Sequence, residues 1–427
     1  MPSMLETFSD KMKRINKLPE LRTKIFYTLM MFLVARIGTH IPSPGVDIER
    51  LTSMVDTSDI LGFINMFSGG AFTKISIFAL GVMPYINASI VFQLLTVILP
   101  KLEEIQKEGD SGRQKISQWT RYLTIFIGAI QGFGVTMWLQ SMGLVRNPGF
   151  LFVFTTVTIL TAGTVFLMWL GEQITVNGIG NGISLIIFLN IIARMPAGII
   201  QTIQKISEDK FFLFKGIFLI IVAALIIAGI VLFQLAQRKI PIQYAGKGFS
   251  GQNSIASRTY LPLKINTAGV IPIIFASVLL MMPSMLVKVL PASDMKIILE
   301  RMFSTTHPVY LTLYAALVIF FTFFYTAIMF DPEKVAENLK KSGGTVPGIR
   351  PGLDTVVYLE KVVTRITLGG ALYLAAIAIV PMVIFGIFNI PAFLSGTGLL
   401  IMVGVALDTV QQIDAHLVMK DYEGFMS

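Results

Sequence analysis

Apolar runs separated by short polar, glycine-rich or charged stretches recur along the chain from residue 25 to residue 413. A helix rising 1.5 Å per residue needs about 20 apolar residues to cross ~30 Å of hydrocarbon. The pattern predicts ten membrane-crossing helices, at about 25–38, 75–99, 119–141, 150–171, 183–200, 216–236, 267–287, 308–330, 366–388 and 393–413. Two of them are interrupted. The second carries Gly81, Pro84, Asn87, Ser89 and Gln93, and the seventh carries Gly269, Pro272, Ser277 and Pro283. Proline frees a backbone carbonyl and permits a kink, and buried polar side chains need partners or water. An eleventh apolar stretch, Ile60 to Phe72, has only 13 residues, is set off from the next span by Gly69-Gly70 and is too short to cross. Taken alone, its residues favour an interfacial, surface-packed helix over a re-entrant segment facing a cavity.

Composition supports the pattern. Of the 427 residues 54% are hydrophobic and 14% charged, against about 25% charged in a soluble domain. No cysteine occurs, which excludes disulfides and thiolate chemistry, and His40, His307 and His416 are too scattered for a local ligand motif. The net charge of +9 suits a nucleic acid, an anionic lipid surface or an acidic partner. Ten spans put both termini on one side, and 23 of the 34 Lys and Arg residues fall on that side. The positive-inside rule then makes it cytoplasmic.

Two of the segments on that side, 237–265 and 331–365, are longer than the roughly 2–8 residues of typical helix connections. The first carries Arg238, Lys239, Lys247, Arg258 and Lys264. The second carries Lys334, Lys340, Lys341, Arg350, Lys361 and Arg365 among five acidic residues, and two Pro-Gly pairs stiffen the turn around Arg350. Anionic headgroup binding is one reading; a platform for a large cytoplasmic partner is the other.

The spans hold few acids. Asp408 lies within the last and Glu172 at the end of the fourth, which disfavours strong proton or cation coupling. Gly178 to Gly182 lacks the spacing of a dinucleotide fingerprint, and no glycine-rich loop ends in Lys-Ser or Lys-Thr. No nucleophile and base are placed for hydrolysis. The residues indicate neither an enzyme nor a cofactor.

Several ordered motifs resemble the large subunit of the bacterial Sec protein-conducting channel, the SecY family. They are Arg36 to Gly45 (RIGTHIPSPG), Asn65 to Gly70 (NMFSGG), Ser76 to Ile86 (SIFALGVMPYI), Gly171 to Thr175 with Gly178 to Gly182, Leu261 to Lys264 with Ala268 to Pro272, and Asn338 to Gly343 with Pro347 to Gly352. The resemblance implies an all-α polytopic membrane protein whose ten helices form two inverted-repeat halves around an hourglass pore. The halves would be 25–200 and 216–413, joined by an external hinge loop at 201–215, with a cytoplasmic N-terminal segment 1–24 and a cytoplasmic tail 414–427.

Segment 60–72 would then be a re-entrant plug, contributing Ile60, Leu61, Phe63, Ile64, Met66, Phe67, Ser68, Gly69 and Gly70. The pore ring would be Val82, Ile86, Ile183, Ile187, Ile274 and Ile401, with Val82 one methylene smaller than the family's usual isoleucine. Asn87, Gln93 and Gln131 would lie near a lateral gate. Arg238, Lys239, Lys247, Arg258, Lys264, Lys340, Lys341 and Arg350 would dock the SecA motor ATPase or the ribosome. SecE-type and SecG-type subunits, unfolded preproteins and anionic lipids would be the other partners, and the cytoplasmic membrane the location. A secondary transporter for a small solute is the alternative, because inverted repeats and broken helices mark that class too.

Overall fold

A computed structural model describes residues 18–57, 65–207, 212–244, 260–289, 294–304, 307–387 and 396–426. Ile60, Leu61, Phe63 and Ile64 of the expected plug, and Lys247 and Arg258 of the basic loops, lie outside the described residues.

The elements follow local sequence chemistry. Helix α1 (Pro19–Gly38) starts on a proline, whose missing N–H is no loss at a helix start, and is followed by α2 (Ile48–Thr57). Residues 65–82 contain one turn of helix and are otherwise a chain of turns. Helix α3 (Met83–Ile98) starts beyond them with Pro84 in its first turn, and a sharp break of 100° at Leu99 leads into α4 (Pro100–Lys107). Long helices α5 (Asp110–Ser141), α6 (Phe150–Asn177), α7 (Gly182–Ser207) and α8 (Phe212–Leu235) complete the first part.

Strands β1 (Gln237–Pro241), β2 (Gln243–Tyr244) and β3 (Tyr260–Lys264) come next, and α9 (Ile271–Val289) and α10 (Asp294–Met302) follow them. His307 caps α11 (Pro308–Met329), its ring nitrogen accepting from the Val309 N–H at 3.3 Å. Asp331 caps α12 (Pro332–Lys341), accepting from the N–H groups of Glu333 and Lys334 at 3.1 and 3.2 Å. The chain ends with β4 (Gly344–Thr345), α13 (Leu353–Ile387) and α14 (Gly396–Met426).

Among the described residues seven helices are long and apolar enough to cross a membrane, or eight if the bent pair α3–α4 is one span. The two other expected spans fall on α1, which carries Glu20, Arg22, Lys24 and Arg36, and on α9, whose apolar part is the shorter stretch Ile271–Met281. The expected second span, 75–99, is helical only from residue 83. Several helices exceed their predicted spans: α13 begins at Leu353 and α5 at Asp110, because charged turns continue each helix beyond its apolar stretch. The expected loop 331–365 accordingly contains α12 and the start of α13.

Contacts divide the bundle. Helix α5 packs on α3 and α6, and α6 on α1 and α7; α13 packs on α11, α12 and α14, while α8 packs on α14. Two seams join these groups. On one, α9 meets α3 and α5; on the other, α7 meets α8 and α14. A single large apolar core, to which residues from Ala35 to Val405 contribute, runs through both groups.

Glycine sets the closest approaches. A Cβ at Gly163 of α6 would collide with the Ile77 carbonyl oxygen, so α6 lies directly on the irregular backbone before α3. A Cβ at Gly134 of α5 would meet nothing within 4 Å. Gly163→Ala is therefore expected to destabilise the chain by about 1–3 kcal/mol, the usual range for overpacking, whereas Gly134→Ala leaves stability unchanged or slightly raised. Thermal unfolding of the two variants in detergent checks the contrast.

Candidate functional site

Residues 65–82 are irregular yet almost wholly buried, from Asn65 and Ser76 at 0% exposure to Val82 at 2%. Irregular backbone at membrane depth survives only where protein or a water-filled cavity satisfies it, and here protein does. Within the segment, the Gly70 N–H donates to the Asn65 carbonyl at 2.9 Å, the Thr73 N–H to Asn65 Oδ1 at 3.2 Å and the Phe72 N–H to Ser68 Oγ at 3.1 Å. Its later end is fixed to residues 41–43: the Ser43 N–H donates to Ile75 O at 2.8 Å and the Ile77 N–H to Ile41 O at 3.1 Å. Gly69 and Gly70 have φ of 67° and 88°, which only glycine adopts freely. For the described part of the segment, Met66 to Gly70 included, the surface-packed helix that composition favours is replaced by a buried helical turn and a run of turns, because much of its backbone finds partners inside the bundle.

Val82, Ile86, Ile187, Ile274 and Ile401 are buried members of the one large core, and Ile183 packs half-buried against it. They reach it from both groups of helices: Val82 caps α3, Ile86 lies in its first turn, Ile183 and Ile187 open α7, and Ile274 and Ile401 lie near the starts of α9 and α14. The α6–α7 corner that carries Ile183 is tightly held. A Cβ on Gly182 would collide with the Gly171 carbonyl and one on Gly171 would press on the Ile183 side chain, and the Ile179 N–H donates to Thr28 Oγ1 of α1 at 3.2 Å.

At the seam between α3 and the second group, Tyr325 of α11 donates its hydroxyl to Gln93 Oε1 of α3 at 2.8 Å, while Gln93 Nε2 donates to Ser89 at 3.1 Å. Phe275 of α9 stands edge-on to Phe321 and Tyr325, with ring centres 5.7 and 5.6 Å away. Of the three polar residues expected there, Gln93 bridges the seam, Asn87 is buried on α3 and Gln131 is half-buried on α5. Tyr325 and Phe275 escaped the sequence reading, since aromatic residues in an apolar span look like any others.

The two long basic loops form one body. Strand β1 pairs antiparallel with β3, and β2 pairs with β4 across a hundred residues of chain. Ile240, Leu263, Ala336, Val346 and Leu359 make a separate small core beneath them. Arg238, Lys239, Lys264, Lys340, Lys341 and Arg350 are all exposed around it. Lys239 stands 4.6 Å from the centre of the Tyr260 ring, Lys341 pairs with Glu337 at 2.8 Å, and Lys264 donates to Gln411 of α14 at 3.1 Å. The Arg350 carbonyl accepts from Thr355 Oγ1 at 2.9 Å, which helps hold the turn that presents its guanidinium.

The SecY family model covers residues 76–410. The protein translocase subunit SecY of Aquifex aeolicus is 44% identical, across 98% of this chain and 99% of that one. This chain belongs to the SecY family. Solved structures agree with the fold of that family at low identity. A protein-conducting channel superposes with a TM-score of 0.68 at 17% identity over 93% of this chain and 95% of its own. Sec61 from a canine ribosome–channel complex of the endoplasmic reticulum gives 0.65 at 17% identity with the same coverages. The chain is thus an all-α, membrane-embedded SecY homologue.

In this SecY homologue the Tyr325–Gln93 bond is a side-chain tie across the seam. A double-mutant cycle of Tyr325→Phe and Gln93→Ala on unfolding free energy should return a coupling of about 0.5–1.5 kcal/mol, the net value of one hydrogen bond. Strict additivity would deny the tie.

Proposed function

We propose that the chain is the central subunit of a protein-translocation channel that conducts unfolded secretory preproteins across the cytoplasmic membrane and releases hydrophobic segments sideways into lipid. The observation that supports this reading is that five of the six aliphatic side chains expected at the ring are buried in one apolar core built by helices of both groups, and Ile183 packs against it, alongside a buried irregular segment. A narrow ring of branched apolar side chains offers water and ions no partner and dewets. It also holds no donor, acceptor or charge that would select one sequence over another, so a passing chain is surrounded without being recognised.

In this reading residues 60–72 plug the path at rest, and the α3–α9 and α3–α11 seam is the lateral gate. Sorting at the gate follows from partition: at about −0.3 to −0.6 kcal/mol per Leu-like residue, a ten-residue apolar run gains roughly 3–6 kcal/mol on leaving for lipid. Polar segments gain nothing and continue across. The seam is suited to opening, since its apolar contacts exchange for lipid contacts at little cost and the Tyr325–Gln93 side-chain bond is exchangeable.

The exposed basic residues of the loop body would dock a motor ATPase of the SecA type or the ribosome, whose RNA phosphates they complement. Basic surfaces at the same level also favour anionic lipid. SecE-type and SecG-type subunits would complete the complex, with both termini of this chain cytoplasmic. The chain supplies no nucleotide chemistry in this scheme; energy comes from the docked partner. The transporter alternative needs a compact polar site at mid-membrane. Here Glu172 is instead tied to Arg121 at 2.8 Å, and Asp408 lies exposed three residues before Gln411, the partner of Lys264.

Replacing Ile86 and Ile274 together by Asn should wet the constriction and raise the ion conductance of reconstituted channels in planar bilayers; an unchanged conductance overturns the ring assignment. Arg350→Glu should abolish ATP-dependent preprotein transport while the complex still assembles, and normal transport by that variant overturns the docking role. Deleting residues 60–72 should raise resting leak yet leave transport possible, whereas total loss of transport with no leak would make the segment a purely structural element.

A further inference from the structure

Two side chains hold the buried segment from outside. Asn190 of α7 donates Nδ2 to the Phe67 carbonyl at 2.9 Å, and Arg36 of α1 donates Nη1 to the Gly69 carbonyl at 3.0 Å. Asn190 is 3% exposed, and it lies so close to the turn that a Cβ at Gly69 would stand 2.6 Å from its Oδ1. One turn further along α7, Arg194 lies against Gly70, with its Cδ 3.4 Å from where a Cβ would be. We propose that Asn190 and Arg36 form a latch on the plug, which sets how readily the channel opens and therefore how hydrophobic a signal segment must be to open it. The inference rests on the plug reading of residues 60–72.

Three features make this a latch rather than ordinary packing. The segment is closed on itself by the Asn65, Ser68 and Gly70 bonds, so it can leave as a unit without unfolding. Its later end stays pinned by the bridge of Ser76 to Pro42, and the latch lies on the N-terminal side of this pivot, at Phe67 and Gly69. Both latch acceptors are main-chain carbonyls, so the hold depends on the shape of the Gly69–Gly70 turn and not on the plug's side chains. Apolar contacts give the seat bulk affinity, but the two donors give it position. They come from two different spans, α1 and α7, so the seat is defined from two directions.

The strength suits a switch. When the segment leaves, water entering the vacated space replaces each lost bond, so each counts at its net value and not at the full penalty of a stranded buried donor. Loss of one bond should then multiply the open fraction about 2- to 12-fold, the equivalent of the usual 0.5–1.5 kcal/mol.

The test uses the absence of native cysteine in the chain. Ala71, buried in the segment at 0% exposure, is replaced by Cys in the full complex in proteoliposomes, and its reaction with a membrane-impermeant maleimide is timed. Adding Asn190→Ala should raise the resting labelling rate about 2- to 12-fold, and Arg36→Gln by at least as much. Asn190→Asp, which turns an acceptor towards the Phe67 carbonyl, should exceed Asn190→Ala. All three should pass preproteins with less hydrophobic signals than the parent does. Resting rates equal to the parent's in every variant overturn the latch. A stalled preprotein separates the two ideas: if it speeds labelling of the parent but the variants do not differ at rest, the latch alone fails; if it leaves the parent's labelling unchanged, the plug reading fails and the latch with it.

Discussion

Every other feature of the molecule depends on one constraint: backbone N–H and C=O groups at membrane depth must be satisfied without bulk water. Helices satisfy it internally. Residues 65–82 are not helical, and the bundle is arranged to cover them. Side chains of Asn65 and Ser68 accept from the segment's own N–H groups, residues 41–43 pair with its later end, and Asn190 and Arg36 donate to its carbonyls. Helix α6 closes over it at Gly163, where no side chain fits. The loop is held largely by bonds within itself, and the buried Asn65 Nδ2 stands without a partner among the described residues.

The two seams answer different needs. Where α7 meets α8 and α14, the adjoining α6–α7 corner is bonded to α1 through Thr28 and closely packed at Gly182, where a Cβ would collide with the Gly171 carbonyl. That side suits a pivot. Where α9 meets α3 and α5 the contact is apolar packing; beside it Tyr325 of α11 donates to Gln93 of α3, while Phe275 of α9 stands edge-on to Phe321 and Tyr325 within the second group. Apolar helix contacts have no hydrophobic driving force in lipid, where tails are as apolar as Leu, so this seam can part at the cost of packing and one polar tie. In the channel reading proposed above, a clamshell motion would open on the α3–α9 side.

Much of the architecture was legible in the sequence because hydrocarbon thickness is a crude ruler that apolar runs record directly. What the ruler misses lies in tertiary pairing. The helix before residue 83 is lost although Ile75 to Val82 reads as apolar, because Ser76 and Ile77 pair with the chain at 41–43 and Ile75 takes φ of 39°. Gly81 and Pro84 signalled a break, but nothing local showed which side of it was helical. The loops at 237–265 and 331–365 were visible as long and basic; that Gln243 pairs with Thr345 to make them one body was not. Asn190 could be noticed only as a polar residue in an apolar span. Its partner is a backbone carbonyl, which leaves no trace in residue identity.

That shared body also bears on the seam. Strand β3 ends at Lys264 and α9 begins at Ile271, with Ile274 in its first turn. Between them the chain is short and held: the Ile265 N–H donates to the Ala236 carbonyl, and Asn266 donates Nδ2 to the Gly269 carbonyl at 3.0 Å, both local bonds that stiffen the link. A stiff link of a few residues transmits displacement, whereas a long flexible one would absorb it. Lys264 adds a second tether through Gln411 to α14, the helix that carries Ile401. A partner that tilts the basic body therefore acts first on α9 and α14, and these carry two of the six aliphatic residues while α9 forms one wall of the looser seam. In the channel reading proposed above, docking at the basic surface and opening at the seam would be successive parts of one lever.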